Sequence, residues 1–534
     1  MSISRAKIFK LAAAFMASVI AFTLVFTDAA FACTTFLAGK DATTDGSRIV
    51  GRTVDGRRIQ SVKIEHRDGK NDPGTWHYVD EYTGLEIDLP NTYYAMTFNS
   101  MESVEENTGG VWLESGFNSK KVSVSSTETI NSNEKLLDVD PYVKNGISES
   151  SIGFLTLPYA ATAREGVKWL GSLIDKYGMA ASECLVIADE SEIWYFENYG
   201  GHQWAAQRMP EDCCAVIGND AILGDLDLND TENVIATPNL INFAKENKLY
   251  KEVDGKFNAA ATFGIDKLRN YTQLREWRGR SILAPSQVGE YVVTDRYDAF
   301  FKPDNKVSLH QLMELSRDRY DGTKYAVEDG NNNRPIAVDQ ANTASFQQYR
   351  PGGKAPLNWI VSGGQEFNAY LPTYYNMTNI PASYAQYFSD YSVESSYWAF
   401  RNLTTLASRD RSAYKQRVQD TWNALEENFI ANMDQMDAKY EAAGESGVVA
   451  GQMFGNILDN VHMTTTNLSG QIIKEQGESE IATSRTFGKD VEVRASDDAP
   501  IDPVPAIIIA VVFVIIVVAL CVYAVKRYRK NHQK

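Results

Sequence analysis

Arg5, Lys7 and Lys10 stand ahead of an apolar stretch over 11–26, and Ala30-Phe31-Ala32 then lead directly into Cys33. Small residues at 30 and 32 are what a signal peptidase reads, so the pattern predicts a cleaved signal peptide over 1–32 and a mature chain beginning at Cys33. A cysteine exposed this way carries a thiol and a titratable α-amine on one residue. With the thiol near pKa ~8.5 and the amine near ~7.7–8, a nucleophile and a general base occupy a single unit. Two other readings stay open on the segment alone: exposure by chance, and a lipid-anchored, inert cysteine. The lipid anchor asks for Leu where Ala30 stands and a small residue where Phe31 stands.

The chain of 534 residues is long enough for one large domain or two ordinary ones. Its 44% hydrophobic and 23% charged content marks the bulk as globular. The formal charge of −17 argues against a nucleic-acid partner, and no basic, aromatic-interleaved patch offsets it. Residues 506–525 form an uninterrupted apolar run of bilayer-spanning length. Lys526, Arg527, Arg529, Lys530 and Lys534 behind it assign that end to the cytoplasm. The expected organisation is a signal peptide over 1–32, an exported domain over 33–470, a polar, acidic stalk over 471–505, a transmembrane helix over 506–525 and a cytoplasmic tail over 526–534. Such a chain crosses the cell membrane once and faces outward. Five cysteines (Cys33, Cys184, Cys213, Cys214 and Cys521) are too few for a disulfide scaffold.

Residues 33–38 are rich in β-formers, 40–46 are a turn cluster and 47–52 read as a returning strand. A hairpin centred near Ala42 and Thr43 brings Arg52 roughly opposite Cys33, with Asp55 a short step beyond. Apolar Val167, Leu170, Ile174 and Tyr177 share one face of a helix predicted over 163–177, capped by Thr162 and stopped by Gly178. Strands over 184–188, 193–197, 203–207 and 214–218 read as an antiparallel meander, with Asn219 where the last one ends. From 394 to 440 the chain reads as helical. Antiparallel strands with segregated helices predict an α+β fold, sheets covered by helices.

Six histidines (His66, His77, His202, His310, His462 and His532) are scattered without paired-ligand spacing, so no metal or cofactor is expected. No Gly-x-Ser-x-Gly elbow and no phosphate-cradling glycine loop occurs. Ser132-Asn-Glu-Lys135 matches Ser-x-x-Lys, a four-residue pattern frequent by chance and set here among polar residues. A papain-type pairing of the cysteine with a distant histidine is a further alternative. An N-terminal nucleophile needs no histidine: it needs its amine, a group to hold the thiolate and donors for an oxyanion. Arg52 and Asp55 supply charge near the thiol, and Asn219 can offer a side-chain N–H.

Six stretches carry a family resemblance: Cys33-Thr-Thr-Phe-Leu-Ala-Gly-Lys; Gly-Arg52-Thr-Val-Asp55; Thr162-Ala-Arg-Glu-Gly-Val; Ala188-Asp-Glu-Ser-Glu-Ile-Trp-Tyr-Phe-Glu197; Gly-Gly-His202-Gln-Trp; and Arg275-Glu-Trp-Arg278-Gly. Taken in order over about 33–285, they resemble the dipeptidase A-like cysteine peptidases, a branch of the N-terminal-nucleophile hydrolases. The resemblance implies a four-layer αββα sandwich with Cys33 at the end of a central strand, short peptides as substrates, and a thioester intermediate. It also implies roles: Arg52 tunes the thiolate, Asp55 orients the α-amine, Asn219 donates to the oxyanion with a backbone N–H, and a later arginine, Arg275 in preference to Arg278, completes the set. The chain departs from the family's Asn-Glu-x-Gly pattern, having Glu114-Ser-Gly-Phe-Asn118 there, and adds the C-terminal apolar run. Rival readings are a non-peptide amidase or acylase of the same superfamily and a lipidated, surface-anchored binding protein.

Overall fold

The computed structural model describes residues 33–56, 61–102, 111–127, 130–292, 296–327, 331, 333–388, 391–392 and 394–477. The segments read as signal peptide, transmembrane helix and cytoplasmic tail lie outside the described residues, as does the stalk beyond 477. Among the described residues no helix is long and apolar enough to cross a membrane.

Strand Thr34–Ala38 pairs antiparallel with Arg48–Asp55 on one side and Cys214–Ile217 on the other. Ala341–Tyr349, Leu357–Ser362 and Leu371–Tyr374 continue this six-stranded sheet beyond Arg48–Asp55. Every residue of Thr34–Ala38 is buried, because the strand's alternating side chains serve two cores at once. Phe36, Ala38 and Ile49 pack with Leu312 and Met313 of helix Leu309–Ser316, while Leu37 and Val50 pack toward a second sheet. That second sheet has eight strands in the order Val234–Ala236, Trp204–Arg208, Ile193–Asn198, Cys184–Ala188, Ser123–Thr127, Val111–Asn118, Met96–Glu102 and Val62–Arg67. Helices Glu149–Thr156 and Ala163–Tyr177 cover its far face, setting Ile152, Leu155, Val167, Leu170 and Ile174 against Leu185, Ile187, Trp194 and Phe196. The result is a mixed α and β fold, layered helix–sheet–sheet–helix, with a helical C-terminal part.

Helix Ala163–Tyr177 has the expected bounds: the Thr162 hydroxyl accepts from Glu165 N–H, and Gly178 leaves the helix at φ 70°. The meander holds for three strands only. Cys214–Ile217 crosses to the other sheet and pairs with Thr34–Ala38, because Pro210 interrupts the ladder and alternation in sequence does not name a strand's partner. Helices Ser396–Ser408, Arg411–Ala431 and Met433–Ala442 occupy the stretch read as helical. A further helix, Gly447–Glu475, buries Phe454, Leu458, Val461, Leu468 and Ile472 and runs past 470, into the segment read as stalk.

Candidate active site

Thr35 pairs with Arg52, so the hairpin centre falls one position later than the sequence suggested. Cys33 and Thr35 share a face of the strand, and the long arginine side chain spans the offset: Arg52 Nη2 donates to Cys33 Sγ at 3.4 Å. The same guanidinium reaches across the gap between the sheets, where Nη1 lies 2.6 Å from Glu114 Oε2, and Nη2 lies 2.9 Å from Glu149 Oε1. Glu114 belongs to strand Val111–Asn118 of the second sheet, and Glu149 opens helix Glu149–Thr156. Burial pushes the Arg52 pKa down, but the charges of Cys33, Glu114 and Glu149 outweigh it and hold the group well above the ordinary guanidinium value. Burial lifts the Glu114 carboxyl, and Arg52 pulls it back.

Continuing the Thr35–Ile217 register sets Asn219 across from Cys33. Arg275, from helix Asn270–Leu283, ties the two together: Nη1 donates to Cys33 O at 2.5 Å and to Thr34 Oγ1 at 2.8 Å, and Nη2 donates to Asn219 Oδ1 at 2.6 Å. Holding Oδ1 in this way fixes the carboxamide and leaves its N–H₂ end as the donor. Arg278, the other candidate, instead pairs with Asp318 at 2.6 Å. Asp55 sits buried at the end of strand Arg48–Asp55, where its Oδ2 accepts from Arg334 and its Oδ1 is buried without a hydrogen-bond partner. Burial raises the Asp55 pKa; Arg334, then Arg275 and Arg52, oppose the rise.

The structure thus gathers Cys33, Arg52, Asp55, Asn219 and Arg275 at one end of the six-stranded sheet. It adds three residues that the sequence reading did not assign to the site. Glu114 had been met only as part of a departure from the family pattern. Glu149 and Arg334 are far from the cysteine in sequence, and no local motif marks either one. Tyr320 supports Arg334: it is buried in a left-handed conformation at φ 67°, and its Oη donates to Arg334 O at 2.5 Å. Asn118 serves a turn instead, accepting from the N–H groups of Lys120 and Val122 and donating to Leu157 O and Ala160 O. His202 is likewise a turn residue, with Nδ1 3.0 Å from Asp140 Oδ1.

A buried thiol gripped by an arginine, beside a carboxamide whose N–H₂ end is fixed, is the equipment of a thiol-dependent acyl-transfer site. The model of peptidase family C69 matches residues 32–424. A probable dipeptidase B of Streptococcus pyogenes is 32% identical over 426 residues, covering 76% of this chain and 84% of the relative. A probable dipeptidase of Latilactobacillus sakei is 28% identical over 457 residues, covering 83% and 95%. A solved variant of conjugated bile acid hydrolase from Clostridium perfringens superposes with a TM-score of 0.28 at 13% identity, covering 68% of this chain and 98% of that one. The chain belongs to peptidase family C69, and is a cysteine-type peptidase.

Proposed function

We propose that this chain is an exported, membrane-anchored dipeptidase of the N-terminal-nucleophile type, with the layering of that superfamily's αββα sandwich and Cys33 as its nucleophile. The observation that carries the reading is the contact of Arg52 Nη2 with Cys33 Sγ at 3.4 Å. The family match begins at residue 32, next to Cys33, and relatives in Streptococcus pyogenes and Latilactobacillus sakei are named probable dipeptidases. The apolar run over 506–525, with its cationic flank, supports an anchor that leaves the catalytic domain outside the cell.

The α-amine released by cleavage before Cys33 takes the thiol proton, and the Arg52 guanidinium steadies the thiolate. Asp55 Oδ1, a buried acceptor without a partner, suits the resulting ammonium. Sulfur attacks the peptide carbonyl carbon, and the π electrons move to oxygen. Asn219 Nδ2 and a backbone N–H stabilise that oxyanion. Collapse breaks the C–N bond; the leaving nitrogen takes the proton from the ammonium, and a thioester remains on Cys33. Water then gives a proton to the same amine and attacks the thioester carbon, and a second collapse releases the acid and restores the thiol. The scheme needs no metal or cofactor.

The test is a mature chain carrying one extra residue ahead of Cys33, which moves the amine away from the sulfur. General acid–base assistance contributes about 10²- to 10⁴-fold, so kcat for dipeptide hydrolysis falls by that order. Full turnover in the extended form would mean that another base serves the thiol.

A further inference from the structure

Arg52 balances one carboxylate, and two lie on it. Glu114 has a side chain only 2% exposed, while that of Glu149 keeps 20% exposure and so remains in reach of solvent. The second carboxylate on Arg52 sits near a sulfur that must itself become an anion, and like charge disfavours the thiolate. An arrangement that served only to activate the thiol would leave Glu149 out. A substrate that brought its own positive charge would resolve the conflict.

We propose that Glu149 receives the α-ammonium of the substrate's first residue, so that the site takes peptides with an unblocked N-terminus and cuts their first peptide bond; this rests on Cys33 being the nucleophile. Arg52 Nη2 touches both Glu149 Oε1 at 2.9 Å and Cys33 Sγ at 3.4 Å, which bounds their separation at about 6 Å. In an amino-acyl group the nitrogen is two bonds, about 2.5 Å, from the carbonyl carbon. A charge-assisted hydrogen bond of about 2.8 Å and a sulfur–carbon approach of about 3–3.5 Å close a bent path across that separation. An ammonium one residue further from the scissile bond overshoots by a Cα–Cα step of about 3.8 Å. Once bound, the ammonium cancels the Glu149 charge, so the thiolate forms beside one carboxylate fewer.

The test compares alanyl-alanine with N-acetyl-alanyl-alanine on the mature protein, as wild type, Glu149→Gln and Glu149→Asp. A hydrogen bond to a charged group is worth about 10- to 100-fold, so wild type prefers the unblocked peptide by at least that factor in kcat/KM. Glu149→Gln collapses the preference, with loss in kcat as well as a rise in KM, and Glu149→Asp, which keeps the charge, retains part of it. A merely structural role would lower both substrates together. An unchanged preference in Glu149→Gln, or wild type cutting both peptides equally, overturns the assignment while leaving Cys33 as nucleophile. Turnover that survives Cys33→Ala sinks both.

Discussion

Arg334 has the least obvious task at the scale of single residues, because it meets the site at Asp55. Burial raises the Asp55 pKa, and Arg334 is the first of the cations that oppose the rise. Arg334→Gln removes that counterweight, so Asp55 holds its proton to higher pH. The acid limb of the kcat/KM profile then moves upward, whereas Arg334→Lys keeps it near wild type. A uniform loss of rate with an unmoved limb would assign Arg334 a packing role only. Cys33, Arg52 and Asp55 were legible in sequence because one hairpin carries them together; Asn219 was legible as a donor at a strand end, but the pairing that sets it across from Cys33 was not. Arg334 and Glu149 were not, since each comes to the site through the tertiary fold and has no fixed spacing from it. Arg275 was legible only through family resemblance, and its bridge from Cys33 O to Asn219 Oδ1 supplies a physical reason for preferring it to Arg278.

At the scale of elements, the hairpin that delivers Arg52 depends on Gly51. In the ladder Gly51 stands between Phe36 and Phe346, whose rings approach to 5.8 Å across it. A Cβ at Gly51 would run into the Phe346 ring. Overpacking of this kind costs about 1–3 kcal/mol, so Gly51→Ala lowers the urea midpoint accordingly and reduces activity through its neighbour Arg52. An unchanged midpoint would mean that the two rings separate without cost. Turn composition located this hairpin to within one position, and apolar spacing with Thr162 and Gly178 gave the bounds of helix Ala163–Tyr177. The partner of Cys214–Ile217 was hidden, because a short alternating strand fits either sheet. Helix Gly447–Glu475 carried a readable signal in Phe454, Leu458, Val461, Leu468 and Ile472, spaced for one helical face. Its polar outer face made the last turn look like stalk.

At the scale of the whole molecule, the layering sets buried carboxylates around the site, and these link stability to pH. Burial, with the charge of Asp220, pushes Glu276 up to about 8, against Gly218 N–H, Arg275 and Arg280. Between its ordinary value of 4.5 and about 8, the folded chain holds a proton that the unfolded chain has released. Stability from this group therefore falls as pH rises through that window. Glu276→Gln removes the slope, so Tm of the variant gains on wild type across the window and the difference levels off above it. A constant difference would mean that Glu276 is ionised in the fold. The proposed signal peptide and nucleophile together require one chemical species, a mature chain starting at Cys33 with an unblocked amine. Mass spectrometry of the N-terminal peptide, isolated from active protein and again after acid quenching during dipeptide turnover, tests this most directly. The account predicts a peptide that begins at Cys33, unmodified at rest and carrying the acyl mass on sulfur after the quench. A diacylglyceryl adduct, a start upstream of Cys33, or an acyl group on another residue in fully active protein would contradict it.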